Sequence, residues 1–312
     1  MATAGEDGQT PAEIAPALTA HGHPVIVFCA SHSGSRLLAQ ALSDLGVFMG
    51  ARLNESRDSL DLFDFTRWLV ERHVPGLDRL LALGDPELRA RALATFEAHL
   101  QGRAPGQPWG WKLPETGHVL PVMRALFPGA RLIHLVRDGR DVAFSPFVAP
   151  KDPFWRKIYF GNDGITRWRG LAMTQRAYRA HGHVFNAERW VRSVRLGRAD
   201  GAAAGDRYLE LRYEALAAAP QVEMERLAAV LGAPVPADVA RSAEAHVRSI
   251  GKWRNEPASR LAEIRPILAP TLDAFGYDWP GGLDEREEAK VSAGRRTGPG
   301  GLGGLFRVRD RR

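Results

Sequence analysis

The residues best equipped for chemistry stand where apolar runs end. FCASHSGSR (28–36) closes the run PVIVF with Ser31, His32, Ser33, Gly34, Ser35 and Arg36, and LLAQALSDLG continues in helical rhythm. A buried strand passing through such a loop into a helix leaves several backbone amides pointing one way. The helix dipole adds partial positive charge, the serine hydroxyls add donors, and Gly34 allows close approach or an unusual dihedral. This is the make-up of a phosphate cradle; the plainer reading is a helix cap supplied by Ser31 or Ser33. The nucleoside triphosphate loop GxxxxGK[ST] is absent, which weighs against ATP or GTP.

A second station follows RLIHLV (131–136), where Arg137 stands at the strand end and Ser145 about two helical turns later. Arg137 and Ser145 together could hold a second phosphate, although Arg137 and Asp141 also have the spacing of an ordinary i,i+4 ion pair. Lys112 ends the short apolar stretch WGWKLP (109–114). Arg248, Lys252 and Arg254 form a cationic group around Gly251, with Trp253 between them.

The elements that must carry these residues alternate. Strands are predicted at 24–30, 109–114, 131–136 and 208–213, each leading toward helical periodicity. Helices are predicted after Ser35, across 57–101 with interruptions near Pro75 and Pro86, and through HVLPVMRALF. Others are predicted at 164–181, 184–198, 214–232, 237–248 and 261–275. The fold class is therefore α/β: one three-layer domain, a central mostly parallel sheet flanked by helices, with a P-loop-like phosphate-binding loop after the first strand. Such sheets bind ligands beyond the C-terminal ends of their strands, which groups Ser31–Arg36, Lys112, Arg137 and Tyr213 along one edge. The domain is expected over 23–285, between a loose lead-in at 1–22 and a flexible, basic, glycine-rich tail at 286–312.

Composition narrows the function further. The 312 residues are 45% hydrophobic, enough for a substantial core, and 42 Lys and Arg against 36 Asp and Glu give a net charge of +6. That excess suits an anionic small ligand but is too slight to require nucleic acid. With Cys29 the only cysteine, no intrachain disulfide or thiolate metal cluster can form, which favours a reducing, cytoplasmic location. No run reaches the roughly 18 apolar residues of a membrane span.

Taken together, the segments resemble the sulfotransferase family, which transfers a sulfuryl group from 3′-phosphoadenosine 5′-phosphosulfate (PAPS) and releases adenosine 3′,5′-bisphosphate (PAP). FCASHSGSRLL is similar to the family loop P-[RK]-S-G-T-[ST] at Ser33-Gly34-Ser35, and LVRDGRDVAFS resembles V-R-[DN]-P-R-D-[AV]-x-x-S nearly throughout. RYEAL resembles the Y-E-D-L segment, and IGKWRN the late G-x-W-[KR]-N loop. The resemblance spans roughly 24–277 and implies that Ser31–Arg36 meet the 5′-phosphosulfate. It also implies that Arg137, Ser145 and the loop with Arg248, Gly251, Lys252, Trp253 and Arg254 meet the 3′-phosphate side, and that Tyr213 meets the adenine. His32 departs from the family by standing where relatives carry Arg or Lys. Phosphate proximity would favour its protonated form, and Arg36 offers a substitute charge. Gly139 in place of proline leaves the turn intact.

The reaction implied needs a base for the acceptor hydroxyl and cations for the charge developing on the bridging oxygen, but no metal. Glu55 resembles the glutamate that protein-tyrosine and heparan sulfotransferases place after the first helix. The aryl and steroid branch uses a histidine in a K-T-H segment. Here WKLPETGH aligns Lys112 with that lysine but puts Pro114 at the histidine position, leaving Glu115 and His118 nearby. His32 is a further candidate base. The acceptor is a hydroxyl of a small molecule, glycan or lipid. Alternatives are a P-loop phosphotransferase, distinguished by Mg²⁺ dependence, and a nucleotide-binding protein without turnover. A nucleic-acid module would show strongly salt-dependent binding.

Overall fold

The computed structural model describes residues 17–73, 86–146, 154, 167–168, 171–172, 175–232 and 250–279. The chain runs β1 (Val25–Cys29), α1 (Ser35–Asp44), α2 (Leu60–His73), α3 (Pro86–His99) and β2 (Gly110–Lys112). It continues through α4 (Leu120–Leu126), β3 (Arg131–Val136), α5 (Gly139–Ala143), β4 (Arg167–Trp168) and β5 (Leu171–Ala172). The last elements are α6 (Gln175–Ala202), β6 (Tyr208–Arg212), α7 (Tyr213–Ala218), α8 (Pro220–Leu231) and α9 (Ala258–Ala274). Short 3₁₀ turns occupy Pro114–His118, Gly205–Arg207 and Lys252–Asn255.

Four strands form one parallel sheet in the order β2-β1-β3-β6. A strand buried on both faces sends alternate side chains to opposite layers, and β1 does so. Val25, Val27 and Cys29 pack with α1, α7 and α8 through Leu38, Leu42, Leu216 and Leu227. Ile26, Phe28 and Ala30 face the other core, built from α2, α3, α4, α6 and α9 through Phe65, Phe96, Met123, Trp190 and Leu268. The three-layer α/β architecture read from the alternation of elements is the one observed. Parallel pairing puts β1 and β3 side by side, Cys29 opposite Leu135. Both strands therefore discharge their loops at the same edge.

One expectation fails between 164 and 198. The two helices read there are a single helix, α6, of 28 residues, and Arg167–Trp168 pairs antiparallel with Leu171–Ala172 just before it. Gly182 and His183 were read as the break. A glycine inside a helix costs only about 1 kcal/mol, and burial of Val184, Phe185, Ala187, Trp190 and Val194 on the core outweighs it. The helix read at 237–248 lies outside the described residues, as do residues 1–16 and the tail from 280. Among the described residues, no helix is long and apolar enough to cross a membrane.

An aromatic group locks β2 onto this core. Phe96 of α3 meets Phe127 at 4.7 Å, Trp111 at 5.6 Å and Trp109 at 6.0 Å between ring centroids. Phe96→Ala removes the shared partner of all three and should cost about 3–5 kcal/mol, read as a lower denaturation midpoint. A midpoint within experimental error of the parent would contradict this account of how β2 is held.

Candidate active site

The loop after β1 is shaped by two left-handed residues, His32 at φ 71° and Gly34 at φ 81°. Gly34 is the N-cap of α1, and no side chain caps the helix. The capping reading of Ser31 and Ser33 is therefore not what the loop does. Ser31 Oγ donates instead to Glu115 Oε1 at 3.0 Å. Ser33 is buried, and its Oγ has no hydrogen-bond partner. Ser35 bonds the Cys29 thiol, whose pKa burial nevertheless pushes up to about 12, so the lone cysteine is inert. At the start of α1 the Ser33 amide donates to the Ala30 carbonyl at 3.2 Å and the Leu37 amide to the Gly34 carbonyl at 3.0 Å, which leaves the Ser35 and Arg36 amides at the open helix end. An uncapped helix start beside an orphaned buried hydroxyl fits an anionic ligand.

Only glycine fits at 34, since a Cβ there would overlap the Tyr213 ring. Tyr213, expected against an adenine, is 1% exposed. Its ring lies under Gly34 and carries the Arg137 guanidinium at 4.7 Å from its centroid. Tyr213 is thus a pedestal on which both loops rest.

The tip of β3 stands next to that loop. Arg137 is buried and donates to the His32 carbonyl at 3.4 Å and to Asp141 Oδ2 at 3.4 Å. The i,i+4 pair is thus real, but it coexists with the reach toward the first loop. Asp141 also accepts from the Gly251 amide at 2.8 Å and the Trp253 amide at 3.1 Å, which fastens the late loop to α5. Lys252 Nζ then lies 2.9 Å from Ser145 Oγ, which itself donates to the Asp141 carbonyl. Arg137, Ser145 and Lys252 are brought together as the sequence suggests. Trp253 is buried in the core under Arg140, which holds Asp138 in a two-pronged ion pair and donates to the Asp278 carbonyl. Trp253 therefore packs the loop down. Arg254 is exposed, over the Trp253 ring at 4.7 Å, and Arg248 lies outside the described residues.

On the opposite side of the first loop, toward β2, an open cleft of about 470 Å³ is lined by Ser31, His32, Arg36, Asp58, Lys112 and Glu115 among others. Lys112 is buried and donates to the Ser56 carbonyl at 2.6 Å and to Asp58 Oδ1, forming an ion pair with that carboxylate. Glu115 is buried too. Loss of solvent, then the Asp58 charge, hold its carboxyl above the usual carboxylate range. Glu55 is exposed on the turn between Asn54 and Arg57, flanked by Asn54 and Ser56 of the cleft lining, with the Asn54 side chain organising that turn. His118 also lies off the cleft, its Nε2 3.4 Å from Ser193 Oγ. Burial, with Arg192 and Arg189, lowers its pKa to about 3.

His32 is exposed on the cleft wall. Crowding that excludes water, followed by the charges of Arg189, Lys252 and Arg137, lowers its pKa to about 4. Without an anion the ring is neutral at pH 7, and the protonated form expected beside phosphate depends on the anion being bound. Sequence reasoning missed two residues here. Asp58 sits in an acidic turn with no distinguishing pattern. Arg189 shares a helix face with Phe185 and Ser193, and a charge on such an apolar face is the signal that could have revealed it.

The sequence matches the model of the sulfotransferase family over residues 24–237, most of the chain, and the protein belongs to that family. No curated protein matches the sequence. Among solved structures it is similar to the sulfotransferase domain from the curacin biosynthetic pathway, at 14% identity and TM-score 0.46, covering 83% of this chain and 99% of that one. It is also similar to sulfotransferase STF9 from Mycobacterium avium, at 17% identity and TM-score 0.44, with 86% and 81% covered. Mouse sulfotransferase SULT7A1 complexed with PAP is a third, at 13% identity and TM-score 0.45, with 84% and 89% covered.

Two outcomes follow from this geometry. Gly34→Ala drives a methyl group into Tyr213 at a positive φ, so the variant should lose at least about 1–3 kcal/mol of stability; an unaltered melting curve would refute the packing. The His32 imidazole should titrate near pH 4 in the free protein and move upward when a polyvalent anion is added, because a nearby negative charge favours the imidazolium. Proton NMR of the ring reads both values, and indifference to the anion would show that the loop binds none.

Proposed function

We propose that the protein is a PAPS-dependent O-sulfotransferase, acting on a hydroxyl of a small-molecule, glycan or lipid acceptor and releasing PAP. The observation that carries this reading is the hydrogen bond from Arg137 to the His32 carbonyl. It ties two anion-receptive stations into one continuous site, as a ligand with phosphates at both its 3′ and 5′ ends would require. A ligand with phosphate only on the 5′ side would leave Arg137, Ser145 and Lys252 without work.

In this reading the Gly34–Arg36 amides and the Ser33 hydroxyl hold the 5′ end of the donor, while Arg137, Ser145 and Lys252 hold the 3′-phosphate. The cleft beside Lys112 and Glu115 receives the acceptor. Glu115 is the group we assign as base. It lines the cleft, and burial with the Asp58 charge holds its carboxyl above the usual carboxylate range, whereas Glu55 is exposed to solvent. As the acceptor oxygen bonds to sulfur, its proton passes to Glu115. The sulfur–oxygen bond to the phosphate breaks, and the departing oxygen's charge falls to Lys112 and the loop amides. Relay of that role to a metal is unnecessary, since phosphate is already a competent leaving group. A cytoplasmic location accords with a single, buried, unreactive thiol.

Binding to PAP, ATP and adenosine 5′-phosphate, compared by calorimetry, should favour PAP clearly, and Arg137→Ala should weaken PAP about 100-fold. Equal affinity for the three nucleotides would overturn the donor assignment. Glu115→Gln should lower kcat on the order of 100- to 10,000-fold while PAP affinity changes little; undiminished turnover would remove Glu115 from the chemistry.

A further inference from the structure

Resting on that reading, we propose that Arg189 of α6 is a positioning residue that supplies, from beneath the first loop, the positive charge its sequence lacks at His32. The guanidinium is 1% exposed and donates to the Ser31 carbonyl at 3.2 Å. It thereby meets the loop across 158 residues of chain, near enough to Glu115 to act on that carboxyl as well. Burying a guanidinium costs free energy that a neutral side chain of the same volume would avoid. The Ser31 carbonyl and the Glu115 carboxyl offset part of that cost, and the same charge also faces an anion held at the loop.

Two alternatives for the missing charge are weaker. Arg36 is exposed on the cleft rim, where solvent and salt screen it. His32 itself is neutral in the free protein, with Arg189 the foremost of the charges opposing its protonation, ahead of Lys252 and Arg137. Beneath the loop, the low dielectric lets the Arg189 field reach the donor amides almost unscreened. Ser31 then has two tasks, since its carbonyl takes Arg189 while its hydroxyl takes Glu115. Arg189 consequently fixes the corner of the loop where the donor site and the acceptor cleft meet, without touching either ligand.

The test separates charge from hydrogen bonding. Arg189→Lys keeps the charge, whereas Arg189→Gln keeps a donor for the Ser31 carbonyl and loses the charge. Each is measured by PAP affinity and by NMR titration of the His32 ring in the free protein. Arg189→Gln should weaken PAP about tenfold and raise the His32 pKa above that of the parent. Arg189→Lys should stay within about threefold of the parent and keep the low His32 pKa. The proposal is overturned if Arg189→Gln matches the parent in His32 titration, or if Arg189→Lys binds PAP as weakly as Arg189→Gln. Should the unsubstituted protein fail to bind PAP, the functional reading fails by itself. The His32 titration, which needs no nucleotide, then still decides whether Arg189 charges the loop.

Discussion

One buried carboxylate gathers half of the site. Asp141 is wholly enclosed, and its two side-chain oxygens accept from Arg137, the Gly251 amide and the Trp253 amide, while its carbonyl accepts from Ser145. A charge at that depth is tolerable only when its lone pairs are taken by donors, and here the donors come from two separate pieces of chain. Satisfying Asp141 therefore brings Arg137, Ser145 and Lys252 to one place before any ligand arrives. Arg137 and Lys252 both face Asp141, and Glu256, which also acts on Lys252, is paired with Arg260. A preorganised positive pocket of this kind holds an anion without reorganising at the moment of binding.

The first loop depends on a different constraint, which is close packing. Gly34 lies directly on Tyr213, and Arg137 lies on the same ring. Tyr213 thus fixes the heights of both loops relative to the sheet, while the parallel pairing of β1 and β3 fixes their separation. The uncapped start of α1 and the orphaned Ser33 hydroxyl then face the region that Arg137 also approaches. On the β2 side, the Lys112–Asp58 pair and the Ser31–Glu115 hydrogen bond give the cleft a cation and a carboxyl a short distance apart. Acid–base and electrostatic functions are divided between neighbours in this way at many transfer sites.

Much of this was legible in the sequence because the signals are local. A strand end followed by Ser-His-Ser-Gly-Ser, and a strand end followed by Arg137 and then Ser145, each occupy fewer than two dozen consecutive residues. The sheet followed from alternating apolar runs, and the family from the two loops together. What escaped is long-range. Arg189 meets Ser31 across 158 positions, and Asp58 meets Lys112 across 54. Neither spacing has a period that a reader of the chain could recognise. The break expected at Gly182 failed because local propensity was outweighed by a buried helix face. Tyr213 was correctly singled out, yet its role could not be read, since nothing local says that Gly34 lies on its ring. The same limit applies to Glu55, since nothing local says that its turn is organised by the Asn54 side chain.

The central claim is that one small molecule with two phosphorylated ends spans the Gly34–Arg36 amides and the Arg137–Ser145–Lys252 group. A crystal structure of the protein with PAP tests it most directly. The account predicts a single PAP with its 5′-phosphate within hydrogen-bond distance of the first-turn amides of α1 and its 3′-phosphate on Arg137 and Ser145. Density for PAP elsewhere, or with both phosphates on one side of the His32 carbonyl, would contradict it.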